Sequence, residues 1–544
     1  MVGRSDIFSR VVKRAKDVIP RLSCHGRTKE ECDTLGAILH EVKRFGQVVD
    51  GARIDACGAL GVDLLRATSE RGLFGLTVPE GYDGAGLSLS AATRVADELS
   101  YINGSLATCV ALHSGLALYS LVFHANEGLR QKYMPDIAAG KRIAAFCATE
   151  PEAGSDIAAV RTLLYRDEQG KLRLRGTKCY VTNGGLAGIL TVVARSPQLG
   201  DARSGHTLVM VDPTWKGVLR QAEEHKLGLK GSSTITIDFD DVEIPPDHVI
   251  GGYAVGLDLA YEALTWGRTF MASACLGSAR AAIDETREHV GRRVQFGKAL
   301  DQFPLVRQQL AEAQAKAYAV SATLGLVCDT FDSREDDIMI ASTILKVFAS
   351  EQCWSVIDAC VQLMGGAGFI EDTGMPRRLR DVRVTRIFEG ANDVLRLHLA
   401  TSSLQWSRAS LSQMPSLASQ VPEKLQPMAL RFDEVAKVLV RCLVEVHRKY
   451  AFRLFYQQVL QARMADAIIA LYAMLAVILR ASSAVTSLNG SNGSNGAQDA
   501  DVRRQLAMAQ LAIMRLEQHV RHAIEAMESA TDKGVAALVN DVWS

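Results

Sequence analysis

Three short stretches of this chain hold residues whose types and spacing suit chemistry on a bound small molecule. In the first, Phe388-Glu389-Gly390-Ala391, one carboxylate sits between an apolar neighbour and two small ones. Phe388 can help dry the carboxylate, and the backbone at Gly390 and Ala391 can approach a ligand, the setting of a general base. A Glu taken alone is usually solvated, so the string around it has to carry the case. The second stretch is FCATEPEAGSD, Phe146 to Asp156. Its Thr149 and Ser155 bring hydroxyls and main-chain N–H groups to one loop, and Gly154 permits close backbone approach. A simple polar turn would also explain Thr-Glu-Pro. The third is GTKCYVTNGG, Gly176 to Gly185, read as a strand. Tyr180 and Thr182 lie two apart on it and face the same side, where a ring and a hydroxyl can meet one planar cofactor. For Tyr180 alone, cross-strand packing explains as much.

Other chemistries lose support. The chain has no G-x-G-x-x-G after a strand, no P-loop, no H-E-x-x-H and no G-x-S-x-G, which argues against nicotinamide, nucleoside triphosphate, zinc-protease and serine-hydrolase sites. Its 11 cysteines are scattered without C-x-x-C spacing, favouring a reducing compartment over a disulfide framework or zinc site. With 61 basic and 61 acidic residues, it lacks the footprint of a nucleic-acid binder.

The elements that must position these residues follow from periodicity. At 544 residues, 48% hydrophobic, the chain is long enough for three or four domains. Residues 30–142 repeat apolar positions at helical spacing, broken by the Gly81, Gly84 and Gly86 loop. Residues 143–252 shorten to strand-like runs in which Ile235, Ile237 and Phe239 alternate with Thr234, Thr236 and Asp238, predicting an antiparallel sandwich or barrel. Helical spacing returns over 253–404 as a bundle. A Ser/Pro/Gln-rich linker is expected at 405–427, and an appended helical domain at 428–544, interrupted by a flexible loop at 487–501. The fold class is therefore α+β, mostly α. The N-terminus includes Asp6 and Asp17 and has no continuous apolar region, so no secretory signal is expected. The longest apolar run, Ala467 to Leu479, falls short of the ~20 residues of a spanning helix.

On the three stretches the sequence resembles the acyl-CoA dehydrogenase family over essentially its whole length, most closely the very-long-chain type with a C-terminal helical extension. The resemblance implies bound FAD, with Phe146, Ala148, Thr149, Gly154, Ser155, Tyr180, Val181 and Thr182 around the flavin and Ser155 also near the thioester carrier. Glu389 falls on the base that removes the α-proton while flavin N5 takes the β-hydride, giving a trans-2-enoyl thioester. Some family members carry the base as a Glu just before an Arg on an earlier helix; here Gly267 precedes Arg268, so that place is vacant. By the same resemblance, Arg293 meets the pyrophosphate and Phe296 the adenine side, while Gln362, Gly365 and Gly366 meet the cofactor across a homodimer interface. Ala391, Asn392 and Asp393 continue the flavin contacts. A solvated Arg and a helix-ending Gly pair are the plainer accounts of Arg293 and Gly365-Gly366. On the substrate side are Ser155, Arg268, Phe388, Gly390 and the small pair Ala107 and Ala111, one helical turn apart, which leave space for a long acyl chain.

Three positions depart from the family string: Tyr180 for a usual Trp, Ala391 for a usual hydroxyl, and Pro304 after Phe303 for a usual Gln. The resemblance further implies an acyl-CoA substrate, an electron-transfer flavoprotein as acceptor, a place in fatty acid β-oxidation, and peripheral membrane contact through the appended domain. Core packing is the plainer account of that domain's apolar half. Location would be cytoplasmic in a bacterium or mitochondrial in a eukaryote. An oxidase, a dehydrogenase of acyl carrier protein thioesters, and a non-enzymatic assembly factor stay open as alternatives.

Overall fold

The computed structural model describes residues 6–22, 28–199, 205–333, 338–404, 406, 414–490, 496–528 and 542. Helices Lys29–Gly46, Gly51–Cys57, Val62–Glu70, Leu89–Ile102, Gly104–Ala111, Tyr119–His124 and Glu127–Ala138 form the first helical part. Their starts are written in the sequence: Thr28, Asp50, Ser88, Asn103 and Asn126 each accept a backbone N–H of the first turn, the standard use of such residues at an N-cap. Between Ala111 and Tyr119 the helix widens into a π-turn over Leu112–Ala117. There the buried His113 accepts from the Ala144 N–H through Nδ1 at 2.8 Å and reaches the Phe74 carbonyl with Nε2 at 2.9 Å. One imidazole thus pins the helical part to the first strand, and burial pushes its pKa down to about 4, which keeps the ring neutral in this role.

The middle part is a sheet of strands β1 (Ile143–Cys147), β2 (Leu163–Arg166), β3 (Leu172–Thr182), β4 (Ala187–Arg195), β5 (His206–Val211), β6 (Val218–Glu223), β7 (Thr234–Ile244) and β8 (Val249–Ile250). Their order is β6-β7-β3-β2-β4-β5-β8, with β1 beside β4. The pairing is mostly antiparallel, as expected from strands without intervening helices, but β1 and β2 both run parallel to β4. On β7 the inward set is as expected, with Ile235, Ile237 and Phe239 buried and Thr236 and Asp238 half-buried, but Thr234, expected outward, is buried. The register between β3 and β7 slips between Lys178 and Val181, and within this bulge Tyr180 has φ 55°.

Behind the sheet, helices Gly256–Arg292, Pro304–Asp332 and Met339–Met364 make the bundle, followed by Met375–Arg383 and Asn392–Ser403. Gly256–Arg292 lies so close to Leu89–Ile102 that a Cβ on Gly277 would stand 2.0 Å from the Asp97 carbonyl oxygen. Only glycine fits that crossing. Helices Gln426–Tyr450, Gln458–Gly490 and Gly496–Glu528 form the appended part.

Three expectations are corrected here. The predicted linker is packed where it is described: Trp406, Leu417 and Leu425 are buried, and Asp433 accepts the Leu417 N–H at 2.8 Å. Positions 405 and 407–413 lie outside the described residues. The flexible loop expected at 487–501 is largely absorbed into the two long helices, with 491–495 outside the described residues; Asp499 in the first turn suits a helix N-terminus. The chain is also helical before residue 30. Ile7–Lys13 and Ala15–Arg21 bury Ile7, Phe8 and Val12 against the appended domain, where the Phe8 ring meets Trp406 edge-on at 6.0 Å and Tyr472 at 6.5 Å.

By length and composition two helical stretches, Gly104–His124 and Gln458–Leu488, are apolar enough to cross a membrane, more than the longest unbroken apolar run suggested. They are 83% and 89% buried inside the protein, so core packing accounts for them.

Candidate active site

Glu389 lies in a tight turn between the Val384–Arg386 turn and helix Asn392–Ser403. Its φ is 57° and that of Gly390 is 97°. A left-handed Glu costs about 1–3 kcal/mol and persists only where its surroundings over-determine it. Those surroundings are two buried cations. Arg268 donates through Nε to the Glu389 carbonyl at 3.1 Å and through its guanidinium to Thr343 Oγ1 at 3.0 Å. Lys346 donates to the Gly390 carbonyl at 2.7 Å and to Asn392 Oδ1 at 2.8 Å. Asn392 in turn donates to Ser350 Oγ at 3.0 Å and Glu351 at 2.9 Å.

The Glu389 carboxylate faces the other way. Its Oε2 is buried without a hydrogen-bond partner, and a Cβ on Gly267 would stand 2.8 Å from that oxygen. The vacancy noted beside Arg268 therefore abuts the same spot: the small residue there makes room for the carboxylate that is present. Burial pushes the Glu389 carboxyl up to about 7, with Arg268 and Lys346 pulling against it, and burial likewise pushes the Lys346 ammonium down to about 7. A carboxyl poised near neutrality can take and release a proton at little cost, which suits a general base.

Phe388 forms one wall of a largely apolar cavity that opens to solvent. Thr108, Ala111, Leu112, Met271 and Thr385 line it further. Of the two small residues expected at its floor, Ala111 is on the wall, whereas Ala107 is buried outside the lining. The lining face runs through Gly104, Thr108 and Ala111, because positions four and seven residues on stay on one side of a helix. Arg268, expected on the substrate side, uses two of its N–H donors on the Glu389 carbonyl and Thr343 Oγ1.

The open side of the sheet gathers the second and third stretches. Phe146, Ala148, Thr149 and Thr182 are half-buried, and Gly154, Ser155 and Tyr180 are exposed, with Val181 turned into the core. The hydroxyls of Thr149, Ser155 and Thr182 have no hydrogen-bond partner among the described residues. Beneath them a buried pair stitches the loop to β3: Lys178 donates to Glu150 at 2.7 Å and to the Ala148 carbonyl at 2.9 Å, and Glu150 also accepts the Arg161 and Thr162 N–H groups. An aromatic ring held out by a left-handed bulge, uncommitted hydroxyls and a small-residue loop fit a flat cofactor with a polar edge such as FAD. Asn392 does not join that face, since its amide is committed to Lys346, Ser350 and Glu351, and the Asp393 side chain points to solvent. Ala391 caps helix Asn392–Ser403.

Arg293, Phe296, Gln362, Gly365 and Gly366 all sit on the surface and none lines the cavity. Phe296 is 94% exposed on a two-stranded hairpin, with φ 50°. Gly365 has φ 59° and no neighbour within 4 Å of a would-be Cβ. Lys346, Lys178 and Glu150 were not singled out from sequence. For Lys346 the signal is a lone cation inside the apolar run STILKVFAS, and for Glu150 its place within FCATEPEAGSD.

A helical, sheet, helical order and a desolvated carboxylate next in sequence to the cavity-lining Phe388 suit a flavoprotein dehydrogenase. Comparison with known proteins narrows this. Family models of the acyl-CoA dehydrogenase N-terminal, middle and C-terminal domains match residues 37–141, 145–242 and 254–404. The mouse mitochondrial very long-chain specific acyl-CoA dehydrogenase is 33% identical over 421 residues, 76% of this chain and 64% of that protein. Its rat counterpart is 31% identical over 502 residues, 85% and 76% of the two chains. Among solved structures, an acyl-CoA dehydrogenase from Bacillus anthracis complexed with FAD matches with TM-score 0.75 at 26% identity, covering 97% of this chain and 90% of that one. Butyryl-CoA dehydrogenase from Megasphaera elsdenii matches with TM-score 0.65 at 26% identity over 68% of this chain and 98% of its own. This chain belongs to the acyl-CoA dehydrogenase family, whose members are FAD-dependent oxidoreductases.

Proposed function

We propose that the protein dehydrogenates a saturated acyl-CoA between the α- and β-carbons, with Glu389 as the base and a long acyl chain in the cavity beside Phe388. The single observation that carries this is the Glu389 Oε2, buried, unpartnered and facing the gap left by Gly267. FAD, when bound, supplies the two-electron acceptor for the β-hydrogen. Thr149, Ser155, Tyr180 and Thr182 would hold it on the open side of the sheet.

The chain's own part is proton removal and positioning. An α-proton next to a thioester is acidified when the thioester oxygen is polarised, and the Glu389 main-chain N–H, which donates to nothing among the described residues, is available for that. The Glu389 carboxylate then takes the proton, made effective by a dry setting that keeps its pKa close to working pH. Gly104 and Ala111 on the cavity wall leave room for a long chain. The surface set Arg293, Phe296, Gln362, Gly365 and Gly366 would complete a cofactor site in a second copy of the chain, giving a homodimer. An electron-transfer flavoprotein would accept the electrons. The exposed Phe452 and Tyr456, each 85% accessible beside Arg448, Lys449 and Arg453, suit shallow contact with an anionic membrane surface.

Anaerobic titration of the FAD-loaded protein with acyl thioesters of graded length, on coenzyme A and on acyl carrier protein, tests the proposal through flavin bleaching. Palmitoyl-CoA should bleach fastest, and Glu389→Gln should keep the yellow cofactor while losing the bleach. Faster turnover of butyryl-CoA would remove the long-chain part. A Glu389→Gln protein that bleaches at the parental rate would overturn the base.

A further inference from the structure

The Glu389 turn has two successive carbonyls, each taken by a buried cation on a different helix. Arg268, on Gly256–Arg292, takes the Glu389 carbonyl; Lys346, on Met339–Met364, takes that of Gly390. Lysine is almost never fully buried unless it is paired, and Lys346 is fully buried. Two of its donors are spent, one on the turn and one on Asn392 Oδ1 at 2.8 Å. Its partners are themselves fixed. Asn392 is held by Ser350 and Glu351, and Arg396, which salt-bridges Glu351 at 3.4 Å, bonds Asp466 of helix Gln458–Gly490 at 2.7 Å. A chain of polar contacts thus runs from the turn to the appended domain.

A left-handed Glu followed by a glycine at φ 97° has easy alternatives, and buried carbonyls must be paired wherever they end up. Cations at both carbonyls remove those alternatives. We propose that Lys346 is a positioning residue for the base: by gripping the Gly390 carbonyl while Arg268 grips that of Glu389, it fixes the turn that aims the carboxylate. The inference rests on Glu389 being the base. The charged and titratable groups around the pair are Arg268, Glu351 and Cys275 with Glu389 itself, and Tyr261 and His398 around Arg268.

The test uses FAD-loaded Lys346→Met, which keeps length without donor or charge, Lys346→Arg, which keeps both, and Glu389→Gln as reference. Flavin reduction by saturating palmitoyl-CoA is followed across pH, with palmitoyl-CoA affinity and FAD content measured separately. Lys346→Met should reduce flavin about a hundredfold more slowly, the scale of a misaimed reactive group, with substrate affinity and FAD content near parental. Its acid limb should move up by roughly one pH unit, since a nearby positive charge is lost. Lys346→Arg, charged at every pH used, should recover much of the rate with the limb no higher than parental. Should the Met protein not fold, a recovered rate with the limb at or below the parental pH in the Arg protein supports the proposal, and an upward shift or a rate as low as that of Glu389→Gln overturns it. A Lys346→Met protein at parental rate beside an inactive Glu389→Gln protein overturns the clamp while leaving the base intact. Parental rate in Glu389→Gln overturns the base itself.

Discussion

Adding one methyl group at Gly267 should separate stability from activity. The position is buried in the middle of helix Gly256–Arg292, where replacing glycine by alanine lowers backbone freedom in the unfolded chain and favours the helix by roughly 0.5–1 kcal/mol. The new Cβ would lie 2.8 Å from Glu389 Oε2, 3.1 Å from Leu116 Cδ1 and 3.3 Å from Leu116 Cβ. The two nearest contacts are side-chain ends that can give way and the third needs a shift of only a few tenths of an ångström, so the protein should fold and melt within a few degrees of the parent. The carboxylate, however, must retreat by on the order of 0.5 Å to reach ordinary contact. With about a hundredfold rate loss for a 1 Å misplacement, half that distance corresponds to roughly tenfold, or about 1.4 kcal/mol of barrier. Stopped-flow flavin reduction by palmitoyl-CoA, thermal melting and FAD content on one preparation provide the check. A Gly267→Ala protein that is stable, yellow and as fast as the parent would show that the space before Arg268 does not belong to the base.

Flavin reduction should rise with pH through about 7, because the Glu389 carboxyl is raised to about 7 and, as the proposed base, would act only when ionised; a rate flat from pH 5.5 to 8.5 would contradict it. The sign for folding is opposite: a carboxyl whose folded pKa is raised stabilises the fold below its unfolded value of 4.5, and that contribution is lost as pH climbs through 7. Lys178→Met leaves Glu150 buried without its cation and should cost about 3–5 kcal/mol, seen by denaturant unfolding, together with weaker FAD retention; unchanged stability would mean the Arg161 and Thr162 N–H groups suffice. Double substitution Phe452→Ser, Tyr456→Ser should abolish co-sedimentation with anionic vesicles and spare flavin reduction; undiminished sedimentation would place membrane contact elsewhere.

The order of helical and strand-like parts was legible because burial imposes a period of 3.6 or 2 on long segments, and β7 with its buried Ile235, Ile237 and Phe239 is a clear instance. The proposal for Glu389 rests in the sequence on its string of neighbours, not on its own type, and the structure adds a buried, unpartnered Oε2. Lys346 was not, because a lysine in a helix is ordinarily solvated and only the tertiary fold reveals that its face turns inward. Ala107 lies outside the cavity lining for a related reason: sequence spacing selects a face of a helix but not which of two close residues meets the cavity. The segment 487–501 read as a loop from its Ser, Asn and Gly content, yet Ser487 to Gly490 and Gly496 to Asp501 extend long helices. Local composition gave way there to the pairing of two long neighbours.

Helices Ile7–Lys13 and Ala15–Arg21 lean on Gln458–Gly490, with Phe8 seated between Trp406 and Tyr472. The first described helices and these much later residues thus form one clasp. During synthesis the earlier half of that clasp must wait for the later half, an interval of roughly 20–90 s at ordinary elongation speeds. Until then Phe8 and Val12 have no berth, and a nascent chain cut short before Gln458 leaves the ribosome with a greasy leading edge that quality control can recognise.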